Sequence, residues 1–134
     1  WASSGEIDIM EMIGNQPATL YGTLHYGDNW PNNVHTGGST TLPSGIFNDA
    51  YHVFTIVWEE TVMRWYLDGN LYSTQTQDVW YTNAAPSDPN APFDQEFYMI
   101  LNLAVGGAWP GPPDGSTVFP QYYRVDWVRV YQQQ

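Results

Sequence analysis

The sequence contains no cysteine and no lysine. Without cysteine no disulfide contributes to the fold, although the redox compartment cannot be read from that absence. Positive charge is confined to Arg64, Arg124 and Arg129, set against fourteen acidic residues, for a net charge of -11. A phosphate backbone is bound by clustered Lys and Arg, so DNA, RNA and anionic membranes are excluded as partners. A neutral ligand or a hard cation suits such a chain better. No apolar run approaches the ~20 residues of a membrane helix, and no basic stretch followed by a hydrophobic segment marks a signal peptide. No segment keeps a helical period of about 3.6 residues. The first residue is Trp1, not Met, and the chain reads as a processed or truncated piece.

What is present is material for a β-rich core: 134 residues, 43% apolar and 16% aromatic, with no internal repeat and no domain boundary. We therefore expect one domain over residues 1–134. Runs rich in Val, Ile, Thr and aromatics, bounded by Gly, Pro, Asn and Asp, predict strands over 5–13, 19–27, 51–59, 62–69, 70–77, 96–105 and 122–132. Asp68, Gly69 and Asn70 signal a hairpin. Two Pro-rich stretches, 81–95 and 106–121, read as long loops, which in small domains are often functional. The last strand carries bulk on both alternating faces, from Tyr123 to Tyr131 and from Arg124 to Gln132. Cover on both sides suggests an antiparallel two-layer sandwich.

The stretch "GEIDIMEMIG" is the most informative. Side chains alternate along a strand, so Glu6 and Asp8 share a face and Ile7 and Ile9 take the other. Residue 10 breaks the acidic pattern, because it is Met10 and the third acid is Glu11. If all three acids face one cleft, a β-bulge must absorb one residue between Ile9 and Glu11. Three acids with no neighbouring Lys or Arg repel one another on a strand that disfavours them, a cost that a merely solvated face does not explain. Glycoside hydrolysis does explain it. A retaining glycosidase places a nucleophilic carboxylate roughly 5 to 5.5 Å from a second that acts as acid and then base. A charged Asp8 between two glutamates would oppose ionisation of a neighbour and keep a proton available for donation.

"GEIDIMEMIG", "GTLHYG" and "VDWVRVYQ" together resemble glycoside hydrolase family 16, and within it the laminarinase-type endo-β-1,3-glucanases. The resemblance implies an all-β, antiparallel, concanavalin-like jelly-roll sandwich carrying the motif E-x-D-x-x-E. Lichenases and xyloglucan enzymes of that family have the shorter E-x-D-x-E. It also implies Glu6 as nucleophile, Asp8 as assisting acid and Glu11 as general acid and base. The expected activity is retaining endo-hydrolysis of a neutral β-1,3-glucan, outside the cell, with no cofactor for catalysis. Agarase, carrageenase or mixed-linkage activity on the same fold, and a non-catalytic carbohydrate-binding sandwich, are the alternatives.

Other residues follow. Antiparallel return through "TLYGTLHYG", with Glu11 opposite Leu20 or Tyr21, brings His25 close to Glu6, where it could hydrogen-bond the acid or a sugar hydroxyl. Trp1, Trp30 and Trp109 sit in or beside Gly-, Asn- or Pro-rich segments, where an indole either stacks on a sugar or plugs the edge of the core. The resemblance assigns Trp1, Trp109 and Asn102 to the cleft; Trp30 has no such support. Asp126 lies between Val125 and Trp127, and an acid there calls for a partner. The resemblance offers a structural Ca²⁺, and a salt bridge to Arg124 or Arg129 is the other option. Members of the family are longer than this chain, so a lost N-terminal part of the sandwich is expected. A half-sandwich exposes hydrophobic strand edges, which a complementary segment or second chain would cover.

Overall fold

The computed structural model describes residues 1–133. Its strands are β1 (Glu6–Glu11), β2 (Thr19–Tyr26), β3 (Val34–Thr41), β4 (Phe54–Glu59), β5 (Val62–Leu67) and β6 (Asn70–Thr76). They make two three-stranded antiparallel sheets, ordered β1-β2-β3 and β4-β5-β6, and no helix occurs among the described residues. All six strands belong to the unit Trp1–Phe97.

The alternation of β2 sets the layers. Leu20, Leu24 and Tyr26 are buried on its inner face, while Thr19, Tyr21, Thr23 and His25 are half-buried on its outer one. Met63, Trp65 and Leu67 of β5 meet that inner face in two apolar clusters, one around Leu24 and Trp65, the other around Leu20 and Phe47. Ile7 packs on the first cluster and Met10 on the second. Gly22 lets the sheets close on each other, because a Cβ there would stand 2.4 Å from Cδ1 of Trp65. The β5–β6 hairpin turns through Asp68 and Gly69, both at positive φ (49° and 80°), as a two-residue turn of this kind requires.

Two expectations change. β3, "VHTGGSTT", is a full strand paired with β2 from Thr19↔Thr41 to Tyr26↔Val34, although its sequence offers one apolar residue and two glycines and so shows no strand pattern. Conversely, 96–105 and 122–132 form no strand. The second unit begins at Tyr98 and is held by local turns such as Gly111 N–H to Gly107 O (3.0 Å) and Thr117 N–H to Asp114 O (3.0 Å). The expected two-sided cover of the last segment is absent: Val130 and Tyr131 are each 83% exposed. β-propensity records fit to a half-buried pleated surface, and without a neighbouring ladder the same residues do not pair.

The Pro-rich loop 81–95 is a loop, and an anchored one. Tyr81 O accepts from Gly27 N–H and Gly27 O accepts from Asn83 N–H, each at 2.9 Å. The Thr82 hydroxyl donates to Ser3 O at 2.6 Å, and Phe93 is buried against Tyr26 and Trp80. This ties down the chain just before β1.

Candidate active site

The register of β1 on β2 shows how three acids come to share a face. Glu6 pairs with His25 and Asp8 with Thr23, but Glu11 pairs with Tyr21, so the ladder slips by one residue between Asp8 and Glu11. Ile9 and Met10 take up the extra length. The bulge inferred from the spacing is therefore formed, and Glu11 joins Glu6 and Asp8 opposite the outward residues of β2.

Each acid has a different neighbour. The Trp1 indole N–H donates to Glu6 Oε2. His25 Nε2 stands 3.3 Å from Asp8 Oδ2, a charge contact more than a well-aligned hydrogen bond. The Thr23 hydroxyl donates to Glu11 Oε2 at 3.1 Å. Burial raises the Glu6 carboxyl above its ordinary pKa; the Trp1 N–H works against that rise and the charge of Asp8 adds to it. Glu11 is raised by burial first and by Asp8 second, with Thr23 opposing. His25 is raised too, chiefly by its contact with Asp8. Two glutamates held toward their neutral forms around one aspartate can give and take a proton in a way that a solvated carboxylate cannot.

Support comes from beneath. Trp65, fully buried in β5, donates its indole N–H to Asp8 O at 2.9 Å, passing the space that Gly22 leaves open. Sequence reasoning missed Trp65 and Thr23, whose contacts span long separations, and it also missed His35. The His35 ring lies 5.5 Å from that of His25, and the Trp1 ring lies 5.4 Å from His25 on its own account. His35 was hidden because β3 itself was.

The structure thus brings Trp1, Glu6, Asp8, Glu11 and His25 together. Trp30 is 76% exposed on the β2–β3 connection. Asn102 and Trp109 are exposed residues of the second unit. Asp126 is exposed there as well, and among the described residues it joins no group of three carboxylate or imidazole donors. Nor does it pair with Arg124 or Arg129, whose guanidinium groups lie over Tyr122 and Trp127 at 5.3 and 4.5 Å from the ring centres. Glu6, Asp8 and His25 do offer donor atoms within 4.8 Å of one another. A cavity of about 420 Å³ opens between Leu42–Ser44 and the β5–β6 turn, and none of Glu6, Asp8 and Glu11 lines it.

Comparison with known proteins shows the family. The profile of glycosyl hydrolases family 16 matches residues 2–129. Glucan endo-1,3-beta-glucosidase A1 of Niallia circulans is 48% identical over 137 residues, covering 100% of this chain and 20% of that protein. Beta-glucanase of Rhodothermus marinus is 38% identical over 98% of this chain and 46% of its own length. Among solved structures, the endo-beta-1,3-glucanase from Pyrococcus furiosus superposes with a TM-score of 0.73 at 42% identity, over 90% of this chain and 44% of that one. This chain accordingly spans less than half of each of these relatives. The paired sheets are part of an antiparallel jelly-roll sandwich, and the chain belongs to glycoside hydrolase family 16.

Proposed function

We propose that this chain carries the catalytic strand of a retaining endo-β-1,3-glucanase acting on a neutral, laminarin-like polymer. One observation supports this most: the register slip between Asp8 and Glu11, which costs ladder pairing and gains a third acid on the face of Glu6.

In this reading the Glu6 carboxylate attacks the anomeric carbon while the Glu11 carboxyl gives its proton to the departing glycosidic oxygen. The C–O bond of the polymer breaks as an ester bond to Glu6 forms. Glu11, now ionised, takes a proton from water, whose oxygen attacks the same carbon and releases Glu6. The roles of the two glutamates are those the family resemblance implies. Burial and Asp8 raise both carboxyls, with the Trp1 N–H opposing the rise at Glu6 and the Thr23 hydroxyl opposing it at Glu11. His25 neutralises Asp8 in part, which limits repulsion when Glu6 is ionised. A polymeric glucan is met outside the cell, which is where the enzyme would act.

The test is reducing-end release from soluble β-1,3-glucan, mixed-linkage β-glucan, agar and carrageenan, by the chain and by its Glu6→Ala variant. Release from the β-1,3-glucan alone, abolished in the variant, is expected. Preference for another polymer would refute the linkage assignment, and binding without release would make the sandwich a carbohydrate-binding one. Proton NMR of the first product gives the anomer; inversion would refute the covalent route.

A further inference from the structure

The slip in β1 has a counterpart in the other sheet. Between Asp8↔Thr23 and Glu11↔Tyr21, two β1 residues, Ile9 and Met10, stand opposite one β2 residue, Gly22. Between Trp65↔Ser73 and Tyr66↔Leu71 the extra residue is Tyr72 of β6. The two bulges converge on Gly22, where a Cβ would lie 2.8 Å from Nε1 of Trp65 and 2.7 Å from the Tyr72 hydroxyl oxygen. Through that gap the Trp65 N–H reaches Asp8 O at 2.9 Å, the last carbonyl before β1 slips.

A bulge disturbs the ladder, and a buried carbonyl beside it needs a donor from elsewhere. An indole N–H can only donate, and Trp65 is fully buried in the cluster of Leu24, Tyr26 and Met63, so it cannot follow β1 if the slip moves. The place of the slip matters because side chains alternate. Without it Met10 would stand beside Asp8, and Glu11 would turn toward the core. With it Met10 packs on the cluster of Leu20 and Phe47, and Glu11 takes the Thr23 hydroxyl on the acidic face.

We propose that Trp65 is a positioning residue for the acid pair: its bond to Asp8 O pins the extra length of β1 at Ile9 and Met10, and so keeps Glu11 on the side of Glu6. The link to catalysis rests on the glucanase reading; the placement of Glu11 does not. The test replaces Trp65, in the whole chain, by β-(3-benzothienyl)alanine, which keeps the fused ring and exchanges the N–H for sulfur. Carboxyl ¹³C NMR and histidine ¹⁵N NMR are followed against pH, beside reducing-end release from soluble β-1,3-glucan. Glu11 faces Asp8, Glu6 and His25, and once freed from its place it loses burial and the charge of Asp8. Its midpoint is expected to fall toward the ordinary glutamate value while His25, paired ahead of the slip, stays raised. In the same chain kcat should drop about ten- to 10²-fold with KM little changed. Glu11 and kcat both unmoved would overturn the positioning role and leave the glucanase reading standing. A joint fall of Glu11 and His25 to their ordinary values would overturn it as well, since that marks loss of the whole strand. No release by the unsubstituted chain, with Glu11 alone moving in the substituted one, would uphold the placement and overturn the glucanase reading for this chain.

Discussion

Two histidines of this chain face an aspartate in contrasting surroundings. His25 approaches Asp8 at 3.3 Å on the acidic face, and His52 approaches Asp68 at 2.7 Å beside the β5–β6 turn. Asp68 also accepts the Val53 N–H at 2.8 Å, so both of its oxygens are occupied. Partial desolvation would raise its pKa, but the His52 and Val53 hydrogen bonds outweigh it and the carboxyl is lowered. No main-chain N–H donates to the Asp8 carboxylate among the described residues, and its contact with His25 raises that histidine. The same residue pair is thus a brace where backbone donors complete the carboxylate, and an adjustable charge where they do not.

The largest test of this contrast is functional. Glu11→Gln keeps the shape of the acidic face and removes its proton; reducing-end release should fall about 10²- to 10⁴-fold. Asp68→Asn should leave the rate unchanged. An equal loss in both would erase the distinction between brace and site.

Next in size is the support under Asp8. Trp65→Phe keeps a buried ring but deprives Asp8 O of its donor, and should cost about 1–3 kcal/mol in urea unfolding. Asp68→Asn, which tolerates positive φ, weakens hydrogen bonds at a more exposed turn and should cost about 0.5–1.5 kcal/mol.

The smallest effects lie in pH dependence, and the two pairs should bend stability in opposite directions. The raised His25 contributes stability that is fully present below 6.5 and is lost as pH rises through its folded pKa. The lowered Asp68 contributes stability present above 3.8 and lost as pH falls through its folded pKa. Melting temperatures across pH should therefore show His25→Ala flattening the neutral-to-alkaline side and Asp68→Asn the acidic side. The His25 ring should titrate above the ordinary histidine value, and Asp8→Asn should bring it back.

Much of the acidic face was legible in the sequence because it is local. Alternation, the misplaced Met10 and a short return through "TLYGTLHYG" are enough to pair Glu6 with His25 and to require a bulge. β3 was not legible, since threonines and glycines satisfy a strand whose outer face has no core to meet. Trp65 read as a strand residue, but its bond to Asp8 spans 57 positions, a distance over which no pattern operates. The segments 96–105 and 122–132 show the converse. Their residues favour strands, yet a strand is a relation between two segments, and no ladder partner forms for either among the described residues.

The bulge also has a consequence in time. Strands ordinarily fray from their tips, but β1 carries its unpaired positions, Ile9 and Met10, between Asp8 and Glu11. In heavy water the amides there should trade protons for deuterons before those of β2 opposite them, a strand bonded on both sides. The spacing that turns Glu11 toward the other acids thus also sets a place in the sheet where isotope exchange begins early.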